Sequence, residues 1–194
     1  MTVPARTGAI IAGGRASRLG GRDKSQLVVG GLPIIVRQVG LLQRVADEIL
    51  VVGEHPERAS LAGVRHCPDL VAGLGPIGGL HTALEAASAD RVLVVACDLP
   101  FLEADLLERL VELADTADAA WVRTASGVEP LVACYRKDVR RHVRAAIEAG
   151  RLKLADLAAV IDVAELTGAD LLRFGDPARL LTNVNTPGDY ERIQ

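Results

Sequence analysis

Val92-Leu93-Val94-Val95-Ala96 is apolar at every position and stops at Cys97-Asp98-Leu99-Pro100. A strand without polar alternation is one covered on both faces, as in a parallel sheet packed between helices. Upstream, Ile77 to Ser88 puts Leu80, Ala83, Leu84 and Ala87 on one helical face. Downstream, Glu103 to Ala114 does the same with Leu106, Leu107, Leu110, Val111 and Ala114, and its acidic first turn suits the helix dipole. Further out, Thr7 to Ala12 is another aliphatic run, ending at Gly13-Gly14, and a long polar loop follows to Gly31. From Pro33, apolar residues recur at Ile34, Ile35, Val39, Leu41, Leu42 and Val45. Arg37, Gln38, Gln43 and Arg44 fall between them, the pattern of a helix opened by proline. Glu48 to Gly53 and Val64 to Cys67 read as strands, and Asp118 to Arg123 and Leu131 to Tyr135 flank a turn at Thr124 to Gly127. Lys137 to Gly150 and Lys153 to Ile161 read as helices, while Asp162 to Leu181 gives weak signals. Strand and helix alternate from the start, which predicts an α/β fold of three layers around a mostly parallel sheet. At 194 residues, 1–194 is expected to be a single domain.

Composition excludes several classes of function. Hydrophobic residues make up 49% of the chain, enough for a core without disulfide or metal staples. Aromatic residues are 3%, too few for a stacking platform on single-stranded nucleic acid. Lys and Arg number 22 against 25 Asp and Glu, a net charge of −3 with no basic concentration, so nucleic acid is not an expected partner. The longest uncharged stretch, Leu70 to Leu84, is broken by glycines and Pro76 and falls short of a membrane span. Neither a secretory signal nor a membrane anchor is read, and a cytoplasmic location is expected. Cys67, Cys97 and Cys134 form no C-x-x-C pair, and His55, His66, His81 and His142 show no metal-ligand spacing. Ser17, Ser25 and Ser126 lack a nucleophile elbow. Lys137, Arg140, Arg141 and Arg144 make a helical basic stripe that reads as a solvated face.

In an open α/β sheet, ligands bind beyond the carboxyl ends of the strands, so the residues after each strand carry the chemistry. Gly13 to Lys24 combines four glycines, which let the backbone approach a ligand, with Arg15, Arg18, Arg22 and Lys24. That composition suits a polyphosphate, yet it is not a Walker A loop, because Asp23 precedes Lys24. Asp98 ends the most apolar strand, where it either caps the helix near Glu103 or holds a cation; Mg²⁺, with one or two carboxylates and substrate phosphates, is the natural one. Gly73 to Gly79 matches G-x-G-x-x-G, which keeps an NAD(P)-dependent oxidoreductase open. Against that reading, Pro68 to Ala72 separates the loop from its strand, and Pro76 lacks an N–H for a pyrophosphate.

Taken in order, these loops resemble those of the molybdenum cofactor guanylyltransferases, a family of nucleotidyltransferases with a Rossmann-like fold. Ile11-Ala12-Gly13-Gly14 with Arg18 to Lys24 is similar to the family's signature loop, and Gly75 to Gly79 to its second glycine loop. Cys97 to Phe101 resembles its metal-binding segment, Glu129-Pro130-Leu131 its acceptor-side strand, and Asn183-Val184-Asn185-Thr186-Pro187 its C-terminal signature. Ile11 and Leu19 replace the usual Leu and Met, and Gly188 stands where an acidic residue commonly follows the proline. The resemblance implies that Ile11, Ala12, Gly13, Gly14, Lys24, Asp69 and Asp98 contact GTP and that Asp98 binds Mg²⁺. It also implies that Arg18, Lys24 and Asp98 carry catalysis and that Asn183 and Asn185 face a molybdopterin-type cofactor. The implied reaction joins GTP to the acceptor's phosphate monoester and releases pyrophosphate, with transient contact to proteins that donate or accept the cofactor. A CTP-dependent cytidylyltransferase or another phosphate-activating pyrophosphorylase is the alternative within this class. A nucleotide-binding module without catalysis is the alternative outside it.

Overall fold

The computed structural model describes residues 5–12, 26–53 and 63–193. Along the chain run β1 (Arg6–Ile11), the hairpin strands β2 (Val28–Val29) and β3 (Leu32–Pro33), α1 (Ile34–Leu42), β4 (Glu48–Val52) and β5 (Arg65–Cys67). Next come α2 (Pro76–Ala86), β6 (Arg91–Ala96), α3 (Ala104–Leu113), β7 (Ala119–Thr124), β8 (Gly127–Arg136) and α4 (Arg140–Glu148). The chain closes with β9 (Val163–Leu166) and the short helices α5 (Gly168–Leu171), α6 (Pro177–Leu180) and α7 (Pro187–Arg192).

Seven strands form one sheet in the order β5-β4-β1-β6-β8-β7-β9. The block from β5 to β6 is parallel, as is β9 on β7, while β8 runs antiparallel between β6 and β7. Alternation of side chains across the pleat gives each face its own core. Ile10, Val51, Leu93 and Val95 meet α1 and α3 on one side. Ala9, Ile11, Val92, Val94 and Trp121 meet α2 and α4 on the other. The expected three-layer α/β architecture with a mostly parallel sheet is therefore the observed one.

Four local expectations are corrected. The polar stretch before Gly31 contains a strand, because positive φ at Gly30 and Gly31 closes the β2–β3 hairpin. Lys153 to Ile161 is not an α-helix; Leu154–Ala159 winds as a 3₁₀ segment. The weak region after Asp162 holds the edge strand β9, whose backbone pairs with β7 despite a short and half-polar sequence. The basic stripe is not simply solvated: Arg140 and Arg144 reach Glu85 on α2, and the Lys137 ammonium donates to the Ala87 carbonyl.

Candidate active site

Residues at the carboxyl ends of β1 and β6 and in the first half of the antiparallel β8 are brought together by the strand register. Ile11 lies beside Ala96 on β6 and Val52 on β4, so Ala12 and Cys97 begin neighbouring loops. The Cys97 N–H donates to the Ile11 carbonyl at 3.1 Å and the Ala12 N–H to Val52 at 2.8 Å. Neighbouring strands sit about 5 Å apart, so Ala12, the last described residue before Gly13, lies next to the turn that carries Asp98. The hairpin that follows the segment is linked to the same turn. Arg37 on α1 donates to the Val29 carbonyl in the hairpin at 3.4 Å and to the Pro100 carbonyl at 3.2 Å. Gly13, Gly14, Arg18 and Lys24 themselves lie outside the described residues, as do the other cations of that loop.

β8 supplies the opposite wall. Val95 pairs with Val132 on β8, and continuing that antiparallel register places Glu129 across from Asp98. A bulge between Trp121 and Val122 on β7 leaves Pro130 to Val132 without partners on that strand. A proline is tolerated there because no ladder bond needs its missing N–H. The fully buried Tyr135 hydroxyl donates to the Pro130 carbonyl at 2.8 Å, fixing the bulged segment from below.

The cavity so formed has a volume of about 440 Å³. Asp98, Glu129, Asn183 and Lys153 are its polar lining, and Leu99, Pro130 and Leu131 are among its apolar walls. Burial first, and then the Asp98 carboxylate, push the Glu129 carboxyl above its ordinary range. Asp98 and Glu129 lining one cavity offer carboxylate oxygens, the donors a hard cation takes, although Lys153 lines it too. Among the described residues no group of three or more His, Cys, Asp or Glu converges, here or elsewhere, so an ion at this cavity would draw most of its ligands from substrate oxygens and water. The donor set therefore fits a Mg²⁺- or Mn²⁺-like ion held by Asp98. The helix-capping reading of Asp98 is not what is seen, since α3 begins after Glu103 and no side chain caps it.

The other expected residues fall as follows. Ile11 and Ala12 are 4% and 3% exposed, so any ligand contact they make runs through the main chain. Asp69 is half-buried just beyond the end of β5, on the sheet edge two strands from β1. Asn183 lines the cavity, next to Val184, whose N–H donates to the Asp98 carbonyl at 3.0 Å. Asn185 is half-buried and not part of the lining; its N–H goes to Asp189, within the capping box that starts α7. Gly78 and Gly79 sit inside α2 rather than in a phosphate-binding turn. A Cβ on Gly79 would lie 2.5 Å from Ile11 Cγ2, so this glycine exists to let α2 approach β1. The oxidoreductase reading loses its fingerprint at that point. Cys67 and Cys134 are buried free thiols, and burial holds Cys134 up at about 12, out of nucleophilic range.

One residue of the site is missed when polar positions on a helix are read as exposed. Gln38 had been placed among the polar interruptions of α1, but it is 1% exposed. Its side-chain amide donates to the Ala96 carbonyl and, at 3.2 Å, to the Leu99 carbonyl, on either side of Asp98. Its position four residues after Ile34 and four before Leu42, on the apolar stripe, was the available signal.

Comparison with known proteins supports the fold and shows the family. A protein of Pelotomaculum thermopropionicum described as a probable molybdenum cofactor guanylyltransferase is 36% identical over 188 residues, 97% of this chain and 91% of its own length. One of Carboxydothermus hydrogenoformans with the same description is 34% identical over 187 residues, 96% of this chain and 94% of its own. The crystal structure of molybdopterin-guanine dinucleotide biosynthesis protein A from Archaeoglobus fulgidus superposes with a TM-score of 0.82 at 25% identity, covering 96% of each chain. The family model for the MobA-like NTP transferase domain matches residues 8–163, which takes in every strand of the central sheet up to the start of β9, and this chain belongs to that family.

Proposed function

We propose that the protein transfers the guanylyl group of GTP to the phosphate of a molybdopterin-type cofactor and releases pyrophosphate. The carrying observation is convergence. The described residues that flank the Gly13–Lys24 segment, Ala12 before it and the β2–β3 hairpin after it, are linked to the turn that presents Asp98, and Asn183 and Glu129 line the same cavity. The guanylyltransferase descriptions of the relatives support the choice of nucleotide and acceptor.

An acceptor phosphate oxygen attacks the α-phosphorus, forming one P–O bond, while the bond to the β-phosphate oxygen breaks and its electron pair leaves with pyrophosphate. A phosphate already ionised at neutral pH needs no strong base, in keeping with a cavity lined by no histidine. The residues of the chain act by binding and orientation. Arg18 and Lys24 are assigned to the leaving oxygens, main-chain groups at Ile11 to Gly14 to the nucleotide, and Asp69 to its base-ribose side. Asp98 is assigned to Mg²⁺, which when bound neutralises phosphate charge. Asn183 and Asn185 are assigned to the acceptor, and the apolar walls to its ring system.

Residues 1–194 act in this reading as a single nucleotidyltransferase domain, with the C-terminal segment returning to Asp98 through Val184. A cytoplasmic place of action fits the buried free thiols. No helix among the described residues is long and apolar enough to cross a membrane. The test is pyrophosphate release with molybdopterin, Mg²⁺ and either GTP or CTP. Turnover with GTP is expected to exceed that with CTP by about a hundredfold, the scale set by a few lost base-edge hydrogen bonds. Equal turnover, or turnover with CTP alone, would overturn the guanylyl assignment.

A further inference from the structure

α1 buries Ile34, Ile35, Gln38, Val39 and Leu42 along one stripe, and Gln38 is the polar member. Leucine or methionine would fill the same volume without burying an amide. The burial has a visible cost: Gln38 Oε1 has no hydrogen-bond partner among the described residues. What the amide gains is the pair of carbonyls that bracket the acidic turn, Ala96 before it and Leu99 after it. Only an NH₂ group can face two carbonyl oxygens, so the orientation of the amide is fixed by its neighbours.

The next residue back repeats the pattern one carbonyl further along. Arg37 Nε donates to Pro100, and its Nη1 reaches Val29 in the hairpin that follows the Gly13–Lys24 segment. From the C-terminal side, the Val184 N–H holds the Asp98 carbonyl. Four backbone attachments, to the carbonyls of Ala96, Asp98, Leu99 and Pro100, therefore surround Asp98, and three of them come from two adjacent side chains of α1.

We infer that Gln38 is a positioning residue for Asp98: its buried amide sets the turn on which the carboxylate meets the metal-bound nucleotide, and Arg37 couples that turn to the β2–β3 hairpin. The inference rests on the proposed function, since it takes Asp98 as the metal-holding group. Metal sites lose affinity when the groups behind their ligands are removed, typically by 10- to 100-fold. The loss of Gln38 should thus appear in metal affinity rather than in nucleotide binding or in the fold.

The experiment measures Mn²⁺ binding by electron paramagnetic resonance, with a non-hydrolysable GTP analogue present, for wild type, Gln38→Met, Arg37→Met and Val39→Ala. Binding of a fluorescent GTP analogue in EDTA and the melting temperature are recorded alongside. Gln38→Met is expected to weaken Mn²⁺ about tenfold and leave metal-free nucleotide binding unchanged. Arg37→Met, half-exposed and tolerant of substitution, is expected to shift Mn²⁺ in the same direction by a smaller factor, and carries the test if Gln38→Met does not fold. Val39→Ala, one residue along on the same buried face, is expected to lower the melting temperature without moving Mn²⁺ affinity. Wild-type Mn²⁺ affinity in a folded Gln38→Met or Arg37→Met variant overturns the inference while leaving the proposed function intact. An equal loss in Val39→Ala, or a matching loss of metal-free nucleotide binding, overturns it as well. Absence of Mn²⁺ binding in the wild-type protein with the analogue overturns the role of Asp98 and the inference together.

Discussion

At the amino ends of the strands, Glu48 accepts hydrogen bonds from the Thr7 hydroxyl, the Ser88 N–H and hydroxyl, and the Arg65 guanidinium. At the carboxyl ends, Glu129 faces a second carboxylate, Asp98, across the cavity. Burial alone would raise both acids. Around Glu48 the donors outweigh it and hold the carboxyl down at about 2, whereas around Glu129 the neighbouring charge adds to it. Arg6 continues the pattern at the amino end, pairing with Glu108 at 2.6 Å while its N–H meets Asp47. One end of the sheet completes its electrostatics from its own sequence; in the proposed function, the other would be completed by what binds there. The fold keeps stability and function at opposite edges of the same strands.

The largest effect that sharpens this contrast is expected at Asp98. Asp98→Ala should cut turnover by about a thousandfold or more, on the scale of losing a principal group that stabilises phosphate charge. Its melting temperature should not fall, because a carboxylate that repels Glu129 is removed. Wild-type turnover in that variant removes Asp98 from the mechanism.

Next in size is Gly79→Ala, which drives a Cβ into Ile11 at the end of β1, just before Gly13. Overpacking of this kind costs about 1–3 kcal/mol, partly offset by the better helix propensity of alanine. Denaturant unfolding should show the loss. Adding Ile11→Leu, which removes the β-branch in the way, should recover most of it; no recovery would mean that the contact is not the cause.

Glu48→Gln tests the opposite end. The folded-state pKa of Glu48 lies below its unfolded value, so its stabilisation is present above about 4.5 and is lost as pH falls toward about 2. The variant should melt at a lower temperature at neutral pH and show a flatter decline across that acid window. An unchanged acid limb would contradict the donor network. Smallest, and opposite in sign, is Glu129→Gln: melting at neutral pH should be unchanged or slightly higher. A clear loss there, comparable with that of Glu48→Gln, would erase the distinction between the two ends.

Much of the architecture was legible because buried parallel strands announce themselves as unbroken apolar runs. Val92 to Ala96 and Thr7 to Ala12 are such runs, and the loops that follow them hold Asp98 and the Gly13–Lys24 cations. Where pairing rather than composition makes the element, the sequence was silent. β9 exists because β7 offers it a ladder, and the β2–β3 hairpin because two glycines adopt positive φ. Glu129 stood out only through its likeness to a known acceptor-side strand, since its meeting with Asp98 depends on the antiparallel register of β8. Gln38 was hidden for a related reason. A polar residue on a helix counts as exposed until the chain shows what it faces, and here it faces carbonyls from a turn 58 and 61 residues away.

The most direct test of the convergence is a crystal structure with a non-hydrolysable GTP analogue and Mn²⁺, read from the anomalous signal of the ion. The account predicts Mn²⁺ bonded to the Asp98 carboxylate and to phosphate oxygens, with the triphosphate lying along Gly13 to Lys24. Manganese bound away from Asp98, or Lys24 and Asp98 on opposite sides of the nucleotide-bound molecule, would contradict it.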